Sequence, residues 1–450
     1  MAASNLSTRE LTDRYVIPTY SRFNLELVRG EGSWVWDESG KRYLDFGAGI
    51  AVTSIGHCHP RVVAVMREQI GVLVHTSNLY YTRPQALLAE RLVQCVGAAS
   101  APEAGDGGKI FLCNSGAEAN EALYKLARKF GNEGMPPAPR HNAGELVESP
   151  PHRGEIISML GSFHGRTLAG ISATGQEKVR KGFEPMVSGF VHVPFNDGAA
   201  LMAAVQAPGT VAVLMEPVQG ESGVHVGSEA YLRLARSLCD QYGLLLMFDE
   251  VQCGLGRTGD WCGWKSILGT PEVLPDAVSW AKGIAGGFPL GAIWVSSRPV
   301  RLKTGSTVPL CDLLGPGSHG TTFGGTPLVS AGALEVLSVI EEEGMLENAR
   351  LMGAYAKAAL SQIGSTLIGD VRGLGLMLAF DLCAEFAEYV QMPANRPASL
   401  FMVDQLHAAG LLVVPSGTHA VRWLPPLNVK AEEIDEAVRI LTAVLAALRN

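Results

Sequence analysis

The 450-residue chain is 47% hydrophobic and 18% charged, which fits a well-buried globular protein with more than one core and excludes a disordered one. Its net charge of −8 argues against nucleic acid or an anionic membrane as partner. The start, MAASNLSTRELTDRY, lacks the apolar core of a secretion signal, and no run reaches the roughly 18 apolar residues of a membrane span, so a cytoplasmic protein is expected.

In chain order, residues 1–30 read as polar, punctuated by Pro18-Thr19-Tyr20. The alternation in 33–45 predicts two short strands turning at Glu38-Ser39-Gly40. His57, Cys58 and His59 have the chemistry of metal ligands, but no third ligand lies at a useful spacing and no metal is expected. Apolar periodicity predicts helices over 61–73 and 83–96. A buried strand over 109–114 turns through Ser115-Gly116-Ala117 into a helix with apolar residues at 119, 123, 126, 127 and 130. Small residues at such a helix start leave backbone N–H groups free to bind phosphate, although an ordinary N-cap has the same signature. Residues 132–153, rich in Pro, Gly and His, read as a surface insertion.

A strand over 155–160 leads into Ser162-Phe163-His164-Gly165-Arg166-Thr167, where an aromatic could stack on a ring and an arginine could grip a carboxylate. A strand over 211–215 ends in Glu216-Pro217-Val218-Gln219-Gly220-Glu221, and a helix follows over 231–241. The wholly apolar run 244–248 reads as a strand buried on both faces, and it ends in Asp249 and Glu250. Residues 254–259 satisfy GxGxxG, but no amphipathic helix follows directly, so the dinucleotide fingerprint lacks its context. A strand over 276–280 passes into Lys282.

Residues 300–318 read as a loop and 327–343 as a helix. The tail is read as helices over 349–363, 400–409 and 431–448, with strands near 367–371, 377–381, 411–414 and 420–424. Strands alternating with helices from 109 to 295 imply an α/β fold with a mostly parallel sheet covered by helices on both faces, followed by an α+β tail. The cysteines at 58, 95, 113, 239, 253, 262, 311 and 383 form no CxxC pair and read as thiols of a reducing compartment.

Asp249 and Lys282 thus sit at the ends of successive strands, where open α/β sheets bind ligands. A lysine in a partly dry pocket loses affinity for its proton and becomes a nucleophile able to form a Schiff base. A carboxylate nearby could hold a proton on a pyridine nitrogen. Either residue alone is more often a cap or a solvated charge; together they point to a pyridoxal-phosphate site.

The stretches VWDESGKRYLDFGAGIAV, GHCHP, HTSNLYY, NSGAEANEA, SFHGRT, EPVQGESG, FDEVQCGLGRTG, AKGIAGGFPLGA, HGTTFGG and VRWLPPLNV run in order from about 20 to 430. They resemble the class III pyridoxal-phosphate aminotransferases of fold type I. The resemblance implies a large domain over 76–330 and a smaller domain formed by both chain ends, 1–75 and 331–450.

Lys282 would carry the cofactor and Asp249 pair with its ring nitrogen; Gln252 would bond the ring hydroxyl. Phe163 would stack on the ring, and His164 is counted with it among the cofactor-binding residues. Ser115, Gly116 and Ala117 would cradle the phosphate, and Thr322 would reach the phosphate of the other subunit in an obligate homodimer. Arg166 would hold the carboxylate distal to the reacting carbon, and Arg422 the α-carboxylate of glutamate. Glu221 would pair with Arg422 in an exposed, switchable gate, and Tyr20 and Tyr81 would line the substrate pocket.

IPTYSRF, SNLYY and TGQEKVRKGFEP favour the group acting on N-acetylornithine with 2-oxoglutarate, in arginine biosynthesis. Ornithine, succinylornithine or 4-aminobutyrate as donor, an aminomutase, and a non-catalytic regulator are the alternatives. Thr326 stands where the family has Asn, and insertions near 101–108, 132–153 and 300–316 depart from its pattern.

Overall fold

The computed structural model describes residues 6–97, 107–137, 140–142, 145–147, 150, 152–269 and 273–449. Its central sheet has seven strands in the order Lys109–Cys113, Gly291–Val295, Ala277–Trp280, Leu245–Asp249, Thr210–Met215, Glu155–Met159 and Phe190–Val193. From Ala277–Trp280 to Phe190–Val193 all neighbours are parallel. Gly291–Val295 runs antiparallel to both of its neighbours. The sheet is therefore mostly parallel, with one reversed strand.

Alternation along the strands sorts their side chains to the two faces. Leu244, Leu246 and Phe248 join one apolar cluster with residues of helices Arg83–Val96, Glu229–Tyr242 and Pro327–Glu342. Leu245 and Met247 join the other, with residues of helix Gly116–Glu133. Leu245–Asp249 is buried throughout, which explains why its sequence is an unbroken apolar run. Helix boundaries follow local chemistry: Ser228 caps Glu229–Tyr242 by accepting from Tyr231 N–H, and Gly243 ends it in the left-handed conformation.

A third cluster joins Leu44, Phe46, Ile55, Val62 and Met66 to residues between 336 and 445, so the two chain ends share one core. There, Leu27–Glu31, Trp34–Asp37, Arg42–Asp45 and Leu411–Leu412 form one sheet. Ile368–Leu374, Met377–Leu382, Ala420–Trp423 and Val414–Ser416 form another. The fold is type I: a large, parallel-rich α/β part and a smaller α+β part.

Some expectations need correction. Within the polar first 30 residues, Ser7 builds a capping box on helix Thr8–Tyr15 and Leu27–Glu31 is a strand, neither of which the sequence placed. The 300–318 segment contains the hairpin Pro299–Arg301 with Thr307–Pro309, not only a loop. Within 132–153, Arg140–Asn142 pairs with Glu145–Val147, while residues 101–106 of the first insertion lie outside the described residues.

The GxGxxG stretch is a series of turns packed inside the protein. The helix Gly263–Leu268 begins only after it. Arg257 is buried and donates to the carbonyls of Leu376 and Pro425. A Cβ on Gly375 would lie 2.6 Å from Thr258 Cα, so backbone meets backbone there and only glycine fits. Two of the motif's own glycines also face the C-terminal part: a Cβ on Gly256 would lie 2.7 Å from Leu427 Cδ1, and one on Gly259 would lie 2.3 Å from Arg350 Cγ.

Candidate active site

The C-terminal ends of Leu245–Asp249 and Ala277–Trp280 and the start of helix Gly116–Glu133 open on one cavity of about 460 Å³. Ser115, Gly116, Ala117, Phe163, His164, Arg166, Glu221, Asp249, Gln252 and Lys282 all line it. Residues scattered over nearly 170 positions of sequence thus converge because parallel strands deliver all their C-terminal ends to one edge.

Lys282 lies two residues past the end of strand Ala277–Trp280 and adopts φ 47°, a left-handed backbone for a residue with a side chain. Such a conformation costs on the order of 1–3 kcal/mol and is held only where the surroundings dictate it. Burial lowers the affinity of its amine for a proton, against the opposing charge of Glu221. The result is an amine poised toward its neutral, nucleophilic form.

Asp249 is the best-held group. Its Oδ2 accepts from Asn120 Nδ2 and faces His164 Nδ1, both at 2.7 Å, and its Oδ1 accepts from Val251 N–H at 3.0 Å. Asn120 is oriented in turn by Ser279, whose hydroxyl donates to Asn120 Oδ1 at 2.8 Å. Burial pulls the His164 imidazole down, but the hydrogen bond and charge of Asp249 outweigh it and its pKa lies above the ordinary value. His164 Nε2 is buried without a partner.

At the helix start, Ser115 caps by accepting from Glu118 N–H at 3.2 Å. The first N–H groups of a helix have no partners within it, so those of Gly116 and Ala117 are available at the cavity. The Arg166 guanidinium lies 5.4 Å from the Phe163 ring centre. This set of groups, with an amine, a fixed carboxylate, an aromatic wall and an anion-binding helix start, fits a planar aromatic phosphate.

Arg422 comes from strand Ala420–Trp423 and is 1% exposed. Its Nη1 lies 2.6 Å from Gln252 Oε1, 2.9 Å from Gly220 O and 3.2 Å from Glu221 Oε1. Burial pushes Glu221 up, but the charges of Arg422 and Lys282 prevail and hold its carboxyl below the usual range. The Glu221–Arg422 pair is therefore not exposed as expected: the strand places the guanidinium under the 220–221 turn.

Three expected residues are not brought to this cavity within one chain. Tyr20 and Tyr81 are 75% and 108% exposed, on the surface N-terminal segment and before helix Arg83–Val96. Thr322 is also exposed, while its neighbour Thr321 accepts from Asn114 Nδ2 at 2.8 Å.

Several lining residues went unassigned from sequence, Asn120 and Glu216 among them. Asn120 is a polar residue on the buried face of its helix, one turn past Gly116, and that misfit to the apolar pattern was the available signal. Glu216, like Asp249, is an acid at a strand end; it is 5% exposed, and burial pushes it up to about 7.

The family model for aminotransferase class-III matches residues 15–445. The acetylornithine aminotransferase of Thermosynechococcus vestitus is 42% identical over 97% of this chain and 96% of its own length. Among solved structures, the ornithine aminotransferase of Toxoplasma gondii ME49 has a TM-score of 0.83 at 30% identity, covering 98% of this chain and 96% of that one. The N-acetylornithine aminotransferase of Stenotrophomonas maltophilia K279a has a TM-score of 0.74 at 32% identity, covering 97% and 98%. With a cofactor-sized cavity, a strained lysine and an anchored acid in the positions described, this chain belongs to the class III aminotransferases.

Proposed function

We propose that the chain is an N-acetylornithine:2-oxoglutarate aminotransferase that uses pyridoxal 5′-phosphate and serves arginine biosynthesis. The observation that carries the chemistry is Lys282 lining one cavity with the anchored Asp249. The choice of donor rests on relatives such as that of Thermosynechococcus vestitus, at 42% identity.

Bound, the cofactor supplies a carbonyl that takes up the amino group and a ring that draws electrons from the reacting carbon. The Lys282 amine would take the proton from the donor's terminal carbon and pass it to the carbon that receives the amino group, and would make the reverse transfer for 2-oxoglutarate. Asp249 Oδ2, fixed by Asn120 and His164, holds the proton on the ring nitrogen. Phe163 stacks on the ring, Gln252 reaches its hydroxyl, and Ser115, Gly116 and Ala117 hold the phosphate.

Arg166 grips the carboxylate far from the reacting carbon. Arg422 grips the α-carboxylate of glutamate or 2-oxoglutarate. When the donor offers no such group, Glu221 neutralises Arg422, which lets one pocket serve two kinds of substrate.

The same reading makes the protein a cytoplasmic homodimer, with Thr322, Tyr20 and Tyr81 serving the partner's site or the rim. Exposed Val72, Leu79, Tyr80, Tyr81 and Phe323 support a shared interface. No helix among the described residues is long and apolar enough to cross a membrane. The division into 1–75 with 331–450 and 76–330 is part of this proposal, supported by the core common to both chain ends.

The test is a half-reaction on purified protein. N-acetylornithine should bleach the yellow holoenzyme and 2-oxoglutarate restore it. Bleaching only by ornithine or 4-aminobutyrate would replace the donor, and failure to take up pyridoxal 5′-phosphate would overturn the reading.

A further inference from the structure

We propose that Glu216 is a positioning residue of this site, locking the ring-stacking Phe163 to the 220–221 turn that carries the gate. Glu216 follows strand Thr210–Met215, and Phe163 lies beyond its parallel neighbour Glu155–Met159. Glu216 Oε2 accepts from Phe163 N–H at 3.1 Å, and Oε1 accepts from Gly220 N–H at 3.4 Å. One buried carboxylate thus spans two strand ends. Beyond it, the Gly220 carbonyl accepts from Arg422 Nη1 at 2.9 Å and Ser416 Oγ at 2.8 Å. Gly220 is thus held at both its N–H and its carbonyl, and the route from Phe163 to Arg422 passes through Glu216.

The two bonds depend on charge. An ionised carboxylate accepts N–H bonds roughly twice as strongly as a neutral acid. Burial resists that ionisation and pushes Glu216 up to about 7, so its proton is exchanged near neutrality. The groups facing it are His164, Asp249, Lys282 and Cys253; His164 favours the charged form and Asp249 opposes it. Losing the proton tightens the hold on Phe163 and on the turn, and gaining it lets the turn bearing Glu221 swing from Arg422. The role rests on the reading of Phe163, Glu221 and Arg422 given above.

The test is direct and needs no substrate. In protein labelled with 15N-Phe and 15N-Gly, the amides of Phe163 and Gly220 should shift together with pH around the value of about 7 expected for Glu216. Both shifts should vanish in E216Q, which keeps the shape but loses the charge and sets an amide N–H₂ against one donor. Kinetically, E216Q should retain cofactor and lose on the order of 10- to 100-fold in kcat, the scale of a displaced reacting group. Its kinetic constants should change for both substrates, because the turn carries the Glu221 that neutralises Arg422 for the amine donor and yields it to 2-oxoglutarate.

Amides that do not titrate in the parent protein, or that still titrate in E216Q, overturn the role. So does a variant that loses thermal stability while kcat, KM and pH profile stay put. If N-acetylornithine fails to bleach the parent protein, the donor is wrong, and the amide titration still decides the matter of Glu216.

Discussion

Arg422 Nη1 lies 2.6 Å from Gln252 Oε1, joining residues 170 positions apart in sequence. The contact puts the Arg422 guanidinium against the segment that also carries Asp249, so the groups proposed to hold cofactor and substrate share one support. Arg422 Nε has no partner. A buried guanidinium with capacity left over is suited to gain a carboxylate, and each grip on the pocket can be tested by removing one partner.

Replacing Glu221 by Gln removes the negative charge that occupies Arg422 and leaves the shape. Arg422 should then favour α-carboxylates throughout the cycle. E221Q is expected to lower the KM for 2-oxoglutarate several-fold and the kcat/KM of the terminal-amine donor by about tenfold, the effect of roughly 1.4 kcal/mol. Steady-state kinetics with each substrate varied checks this. Equal changes on both sides would remove the gate.

Lys282→Ala deletes the amine proposed to move the proton. The expected loss in single-turnover bleaching is on the order of 10²- to 10⁴-fold, the contribution of a positioned acid–base group. Borohydride treatment followed by peptide mass spectrometry should mark residue 282 in the parent protein and no residue in K282A.

His164→Asn tests the anchor of Asp249. The folded pKa of His164 lies above its ordinary value of 6.5, so its bond to Asp249 contributes stability fully below pH 6.5. That contribution is lost as pH rises through the folded value. The difference in Tm between parent and H164N should therefore be largest in mild acid and shrink toward alkaline pH. Cofactor affinity should fall in the variant.

Glu250 offers a stabilising change. It is 1% exposed, its Oε2 has no partner, and burial pushes its carboxyl up from 4.5 to about 7. A folded pKa above the unfolded one means stability present below pH 4.5 and lost as pH rises through 7. The loss is on the order of 3 kcal/mol at pH 8. E250Q keeps an acceptor for Trp264 N–H, and the charge is gone. Its Tm should exceed that of the parent at pH 8, with the gap closing toward pH 5. Thermal melts across that range decide it.

The large part of the fold was legible because its strands are buried on both faces and its helices are amphipathic. Leu244 to Phe248 could hardly be anything but an inner strand, and Arg83–Val96 matched its expected limits. Phe190–Val193 was missed: four residues at the sheet edge just before Pro194, one face half open, carry too little pattern. Gly291–Val295 ran against its neighbours without a sign in its composition.

In the site, Asp249 and Lys282 could be paired from their strand ends. The burial of Arg422 could not be read, since a lone arginine in VRWLP gives no hint of what lies above it. Tyr20, Tyr81 and Thr322 lie outside the cavity of a single chain, and nothing local to their sequence says which surface they face.

The order of the chain also separates the halves of the site in time. Every strand of the central sheet lies before residue 296, and the cofactor contacts that a chain brings to its own cavity end at Lys282, Thr322 being read as serving the other subunit. Arg422 and the strand beneath it are made more than a hundred residues later. On the ribosome, where domains fold as they emerge, the cradle can take shape well before the residue that tells one carboxylate from another is synthesised. A nascent chain would thus be ready for its cofactor before it is ready for its substrate.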